Sequence, residues 1–583
     1  MTVTLLNWIY VAITTYIIGW FCLNKISPVI TKDGNGLRFC ITDRLFAGFF
    51  AVTTYAAFFS IFYKVGIVAN TVLIAACLAV MVFCRKEFAR DHKDIRPSRS
   101  AYTAVTGIIA VLVFLFILMY TAESDFHYDT GLYHAQSIHW IEDYGLVRGL
   151  GLLHFRLAYN SNYFPVCALY SLRDLTGGQS LHSLSGYLTM ITGLYALSGL
   201  ADSIRNRTIF GKTAFSDALR LAPLLGIIVV CMELTSPETD FAVTFTFFWM
   251  CIRYAEITER DEDNAVAFAL LSVTAVVLVG LKLTAAVSLL LVAVSVTELV
   301  IKYKRYDLIA VFAIISLIVI LPYLIRNYYI SGWLVYPFGG IDVFDVAWKI
   351  PKEVLAGDAG MITQGSQVGN DGIPEGVVME ALGWLKRWWT DNYYATRMFY
   401  TSIILSAPAF VFVMFRKIGA RARIMLIMLV CALIFWFIKA PAIRYGYTCV
   451  LTFPLAVCGC LIRDAYLQDK PSARSFRILA VYAVSLVVYL PTLISVPALI
   501  KYDYEESGAR FDFGSHLFSQ ADYPVSEAKE RKWHGMTVYY PAEGDQMWYT
   551  GFVSTPYAEC YDDIEWFTDN ISDGFYLKDR PKS

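Results

Sequence analysis

Uncharged apolar runs, each long enough to cross a bilayer, recur along this chain from Leu5 to Leu499. A hydrocarbon core of roughly 30 Å takes about 20 residues of helix to span. Lipid offers no partner to backbone N–H and C=O groups, and the runs lack the short alternation of barrel strands, so the spans must be helices. Composition agrees: 57% of the 583 residues are hydrophobic and 17% are charged, where soluble domains carry about 25% charged residues. The expected fold is an all-α polytopic membrane protein with about fourteen transmembrane helices. They begin near Leu5, Leu45, Val68, Thr103, Leu181, Leu221, Phe241, Ala265, Thr284, Ile309, Phe399, Ile424, Tyr445 and Ile478.

Some function classes fall away at once. A net charge of -1 gives no basic field, so nucleic acid is not an expected partner. The twelve cysteines show no paired CxxC spacing and fall mostly inside apolar spans, which argues against a disulfide framework or a zinc site. The first span follows MTVTLLNW, without a basic n-region or a small-residue cleavage site, and is expected to be retained.

Orientation follows from Lys and Arg in the connectors. RKEFARDHKDIRPSR, Arg85 to Arg99, holds six of them and should be cytoplasmic. The basic connectors Lys25 to Arg44, Arg205 to Arg220, Arg253 to Arg260, Lys302 to Arg305, Arg416 to Arg423 and Arg463 to Arg477 share that side if both termini lie outside. Three segments are then extracytoplasmic: Glu123 to Ser180, Ser331 to Arg397, and the tail from Lys501 to Ser583, with eight basic and sixteen acidic residues.

That topology puts six charged residues at the outer ends of spans: Asp125 and Asp129, Asp240 in SPETDF, Lys282 in GLKLT, Arg326 in LIRNYYISGWLVYP, and Arg444 in KAPAIRYGY. A charge at the membrane boundary is costly unless it snorkels or works. One cation alone reads first as an interfacial anchor; six of both signs on one face read as a site. The stretch SDFHYDTGLYHAQSIHWIEDYG, Ser124 to Gly145, reads as a loop feeding a helix. Tyr133, Gln136 and Trp140 recur at helical spacing beside an apolar stripe of Leu132, Ala135, Ile138 and Ile141. Such a helix should lie along the membrane surface with its rings at headgroup depth. It offers Tyr133, His134 and Trp140 as substrate contacts, and Asp129 at its start as an N-cap, a site acid, or both.

His127, His134, His139 and His154 lack the HxxxH or HxH spacing of a zinc helix, and His134 and His139 point to different faces. A divalent ion, Mg or Mn, held by Asp125, Asp129 or Asp240 together with a substrate phosphate suits the residue types better. AGDAGMITQGSQVGNDGIPEG, Ala356 to Gly376, contains no GxxxxGK[ST] phosphate cradle and reads as a surface loop or a lid. WLKRWW, Trp384 to Trp389, reads as a second interfacial helix.

The acid pair after a membrane span, followed by DTGLYHAQSIHWIEDYG, resembles the first extracytoplasmic loop of GT-C glycosyltransferases, multi-pass enzymes that take sugars from polyprenyl-phosphate donors. YDTGLYHAQSIHWIEDYGLVRGLG, LAYNSNYF, SPETDF, RNYYISGWLVYP, APAIRYG, GDQMWY and STPY, in that order from about Asp125 to Phe575, are similar to a bacterial family of multi-pass membrane proteins. KAPAIRYG departs from the acid-containing APDPRF pattern of that family. The resemblance implies that Asp129 is the catalytic base, with Asp125 as its substitute and Asp240 as a second acid. It also implies a plasma-membrane protein with an extracytoplasmic active face. The chain then divides into a three-helix segment (1–102), a GT-C-like module (103–330) that includes loop 123–180, an outer loop or lid (331–397), further spans (398–500) and the tail (501–583).

The residues permit the implied chemistry. Asp129 can take an acceptor's proton, Arg326 can clasp the donor phosphate, and Lys282 and Arg444 can add charge. With no covalent nucleophile apparent, a single displacement would invert the sugar. The expected partners are a polyprenyl-phosphate-linked sugar, a glycan or lipid acceptor and membrane lipids. Three rivals use the same features: a transporter or flippase of lipid-linked sugars, a glycan polymerase or ligase, and a non-catalytic assembly protein docking through GDQMWYTGFVSTPY. Span centres almost free of charge and the lack of a visible repeat weigh against the transporter.

Overall fold

A computed structural model of the chain describes residues 1–30, 39–92, 101–260, 265–368, 383–467 and 471–580. Its first third holds α1 (Thr2–Ile30), α2 (Ile41–Phe62), α3 (Ile67–Phe83), α4 (Arg85–His92), α5 (Ala101–Thr121), α6 (Ala135–Asp143), α7 (Tyr163–Tyr170) and α8 (Leu184–Arg205). The middle holds α9 (Ala214–Val230), α10 (Thr239–Glu259), α11 (Ala265–Leu281), α12 (Leu290–Thr297) and α13 (Tyr306–Ser331). Then come α14 (Lys352–Val368), α15 (Gly383–Asp391), α16 (Tyr394–Met414), α17 (Ala420–Lys439), α18 (Ile443–Leu467) and α19 (Pro471–Arg510).

The apolar runs expected to span fall in order on helical segments, the one from Thr284 opening as a 3-10 helix (Leu283–Leu289) ahead of α12, but fewer than fourteen of the described helices are long and apolar enough to cross. Among the described residues, eleven helices are long and apolar enough to cross a membrane, or twelve if α3 and α4, bent by 78° at their junction, count as one. The protein is thus a mostly helical, multi-pass membrane protein. Helices α3, α5 and α11 carry no charged residue on any face, the pattern of helices surrounded by lipid or protein rather than water. Helix α10 is the most charged of the long central helices, with Asp240, Arg253, Glu256 and Glu259.

Helix α18 runs through the middle, with 83% of its apolar window buried. Small residues let helices approach closely at the edge of the bundle. A Cβ on Gly48 of α2 would lie 1.7 Å from the Thr15 carbonyl oxygen of α1, and one on Gly19 would lie 1.8 Å from that of Arg44. Buried ion pairs staple α2, α9 and α10: Arg253 Nε lies 2.8 Å from Asp43 Oδ1, and Arg220 bridges Asp217 and Glu256 at 2.6 Å each. Lys25–Glu87, Arg421–Glu298 and Arg416–Asp464 pairs join the basic connectors at this same end. Parts of those connectors, at 31–38, 93–100, 261–264 and 468–470, lie outside the described residues.

The opposite end carries a cap. The tail forms two antiparallel pairs, β1 (Ala528–Trp533) with β2 (Met536–Pro541) and β3 (Ile564–Trp566) with β4 (Phe575–Leu577). His534 and Gly535, with φ of 48° and 81°, turn the first hairpin, the left-handed pair that a two-residue turn demands. Backbone bonds from Ala521 N to Ala122 O and from Phe575 N to Arg148 O seat the tail on the loop after α5.

This seating changes the expected surface helix. In α6 the residues Ala135 to Glu142 are all buried. Its polar side meets the tail instead of headgroups: Gln136 donates to the Trp548 carbonyl at 2.9 Å, and His139 stacks on Tyr549 and Phe552, each at 4.0 Å. The glycine-rich segment also differs from a loop, because its first part belongs to α14; its continuation at 369–382 lies outside the described residues. The expected helix at WLKRWW is α15, which tucks Trp388 under Pro441 through a 2.7 Å hydrogen bond.

Candidate functional site

Asp125 shapes the approach to the site. Its Oδ1 accepts the His127 amide at 2.8 Å, and the His127 carbonyl accepts the amides of Thr130 and Gly131. The chain then makes a π-helical turn, Thr130–His134, before α6; such wide turns gather at functional sites. Glycine is required here by close approach, since a Cβ on Gly131 would meet Trp548 Cε2 at 2.8 Å. The Gly131 carbonyl accepts the amides of both Met547 and Trp548 at 2.8 Å. Thr130 bonds Ser236 at 2.7 Å, bringing the SPETDF segment alongside.

Asp129, just before this turn, lies between two guanidinium groups. Its Oδ1 is 3.5 Å from Arg156 Nη1 and its Oδ2 is 3.2 Å from Arg444 Nη2. Arg444 lies in the first turn of α18, where the helix dipole disfavours a cation, so the Asp129 carboxylate offsets an otherwise unfavourable placement. Arg156 also faces Asp358 of α14 at 3.9 Å, and Tyr159 donates a hydrogen bond to the same carboxylate.

A second ion pair lies alongside. Lys282, which follows α11, bonds Asp240 in the first turn of α10. The Tyr445 ring joins the two pairs: Lys282 Nζ is 5.0 Å and Arg444 Cζ is 4.6 Å from its centroid. Glu238 approaches His127 Nε2 at 3.1 Å. Six segments of chain thus meet around Asp129.

Two buried polar atoms here have no protein hydrogen-bond partner: His127 Nδ1 and Asp240 Oδ2. Such atoms are rare in native structures and mark places where a ligand or water belongs. Burial pushes Glu238 well above the usual carboxylate range, and the neighbouring Asp240 charge adds to it. Burial lowers His127, leaving a neutral imidazole at neutral pH. It pushes Asp358 up to about 6, against the pull of Arg156.

His127, Asp129 and Glu238 each offer one ligand atom, and the three atoms lie within 4.8 Å of one another. One imidazole nitrogen and two carboxylate oxygens suit a divalent transition metal such as Mn better than Mg, which favours an all-oxygen shell. Of the aspartates offered as alternatives in the sequence, Asp129 belongs to this set.

The sequence-derived residues separate into groups. Asp129, Asp240, Lys282 and Arg444 come together. Tyr133 packs beside them, 4.3 Å from the His134 ring and 5.8 Å from the Tyr159 ring. His134 is buried, lies parallel to His127 at 6.2 Å and is lowered well below the usual imidazole range by burial. Asp125 is buried as a backbone cap with Oδ2 unpartnered, and burial pushes it up to about 7. Trp140 does not face a ligand; it is fully buried against Phe552 and Phe575 because the tail covers α6. Arg326 bonds Ser60 Oγ at 2.6 Å and Asn160 Oδ1 at 3.0 Å, and no contact joins it to Asp129 or Asp240.

Sequence reasoning missed Arg156, Glu238, Asp358 and Tyr445. Glu238 stands two residues before Asp240 in the same SPETDF segment, and that spacing was its available signal. Arg156 is a lone cation among apolar residues, with no local mark to separate it from an anchor.

None of the curated proteins and none of the solved structures matches the chain. Residues 1–451, which contain Asp129, Glu238, Asp240, Lys282 and Arg444, match the model of a family described as a domain of unknown function (DUF8201), and the chain belongs to that family.

Proposed function

We propose that the protein is a membrane glycosyltransferase of GT-C type that moves a sugar from a polyprenyl-phosphate donor to a cell-envelope glycan or lipid acceptor. In this reading fourteen helices cross a bacterial plasma membrane, the module at 103–330 forms the GT-C-like core, and the Asp129 cluster faces away from the cytoplasm. The observation that carries the reading is the meeting of buried acids and half-buried cations from six segments at one end of an apolar helix bundle. Charges gathered at a membrane boundary are costly, which makes such a cluster a functional candidate.

The roles follow from the pairing. Both Asp129 oxygens are engaged, one by Arg156 and one by Arg444. A donor phosphate offers these guanidiniums a bidentate partner. Once they turn to it, an Asp129 oxygen is released to take the proton of an acceptor hydroxyl. That hydroxyl oxygen attacks the anomeric carbon as the bond to the polyprenyl phosphate breaks, inverting the configuration. The leaving phosphate keeps the bonding electrons, and Arg156, Arg444 and Lys282 stabilise its charge. His127, Glu238 and Asp129 would hold a divalent cation, whose contribution is further stabilisation of phosphate charge. Arg326, set among neutral groups, fits a structural role better than the clasp its position in sequence suggested.

The test is transfer of a labelled sugar from a polyprenyl-phosphate donor by purified protein. Asp129→Asn should retain donor lipid yet lose transfer by about 100-fold to 10,000-fold. Transfer at the wild-type rate by that variant would remove the base and, with it, this reading.

A further inference from the structure

A cavity of about 1420 Å³ opens among α1, α2, α10, α11 and α13, away from the Asp129 cluster. Asp43, Arg253 and Arg260 line its polar end; Thr54, Val277 and Val319 line its deep end. Arg253 stands thirteen residues beyond Asp240 on α10, which places the polar end about 20 Å along the helix axis from the Asp129 cluster. A phosphate bound here is therefore a different one from any the cluster binds.

The dimensions match one leaflet. From Asp43 to Thr54 on α2, and from Ala267 to Val277 on α11, the cavity runs about 15 Å, half of a hydrocarbon core of roughly 30 Å. Its long wall is aliphatic and aromatic, including Leu23, Phe50 and Trp249. The volume exceeds the roughly 300–1,000 Å³ of a small-molecule pocket. A polar solute would leave that wall unsatisfied, whereas acyl chains would fill it.

The charge at the mouth selects the head group. Arg253 is committed, with Asp43 and Glu256 both bound to its guanidinium. Arg260, the residue that ends α10, is exposed, and among the described residues no acid pairs with it. The Arg260 guanidinium, unpaired among the described residues and set at the polar end of a leaflet-deep apolar slot, complements an anionic head group. We propose that this cavity is a binding site for one anionic phospholipid, its phosphate on Arg260 and its chains between α2, α11 and α13. The proposal does not depend on the glycosyltransferase reading.

Native mass spectrometry of the full chain, delipidated in detergent and titrated with phosphatidylglycerol or phosphatidylcholine, tests it. One phosphatidylglycerol should be retained in preference to phosphatidylcholine. Arg260→Glu, at an exposed position, should weaken that retention about tenfold. Ala51→Trp, which projects into the slot, should abolish it, with Val277→Trp as the replacement if the first variant lowers the melting temperature. Equal retention of the two lipids, or wild-type retention of phosphatidylglycerol by either kind of variant, overturns the proposal.

Discussion

Asp125 carries a cost that is readable at one side chain. Its carboxyl is buried as the cap of the turn leading to Asp129, and burial raises it from 3.8 to about 7. An acid raised on folding destabilises the fold progressively as pH rises from its unfolded value to its folded one, because the unfolded state gives up the proton first. Asn keeps an oxygen for the His127 amide and removes the charge. Asp125→Asn should therefore stabilise the protein, and by about 2 kcal/mol more at pH 8 than at pH 5.5. Chemical unfolding of wild type and variant at the two pH values measures this; an equal effect at both would place the Asp125 carboxyl in water rather than in the core. The same residue shows why a charge at a span end is not by itself a catalytic group. Asp125 and Asp129 look alike in sequence, yet one accepts a backbone amide and the other faces two arginines.

Among elements, the contact of α1 with α2 depends on the absence of side chains. Gly19 and Gly48 bring the two backbones so close that a methyl group on either meets a carbonyl oxygen inside 2 Å. Gly48→Ala should force the helices apart and cost about 1–3 kcal/mol, the usual cost of overpacking. The readout is the detergent melting temperature, and an unchanged value would contradict the close crossing. Apolar runs made the helices legible in sequence, since a lipid solvent leaves the backbone no alternative. The environment of α6 was not legible. Its alternation of apolar and polar faces is the same whether the polar side meets headgroups or a folded tail, and only the tail, about four hundred residues later in the chain, decides. The helical start of the glycine-rich segment was hidden for a related reason: α14 is fixed by Asp358 reaching Tyr159 and Arg156, contacts with no local signature.

At the scale of the molecule, two charged ends are separated by an apolar bundle. One end is stitched by the Asp43–Arg253–Glu256–Arg220 chain and bears the basic connectors. The other gathers Asp129, Glu238, Asp240, Lys282, Arg156 and Arg444 under the tail. Four of those six were legible as charges at span ends. Glu238 and Arg156 were not, because their significance lies in which distant segment they face. The central claim is that the Asp129 cluster is a single phosphate-binding site, with Arg156 and Arg444 as its clasps. Cryo-electron microscopy of the protein with a polyprenyl phosphate tests it most directly. The account predicts the phosphate within hydrogen-bond distance of Arg156 and Arg444, with at least one of them moved off Asp129. A phosphate seated instead on Arg326, or a bound lipid with both arginines still closed on Asp129, would contradict it.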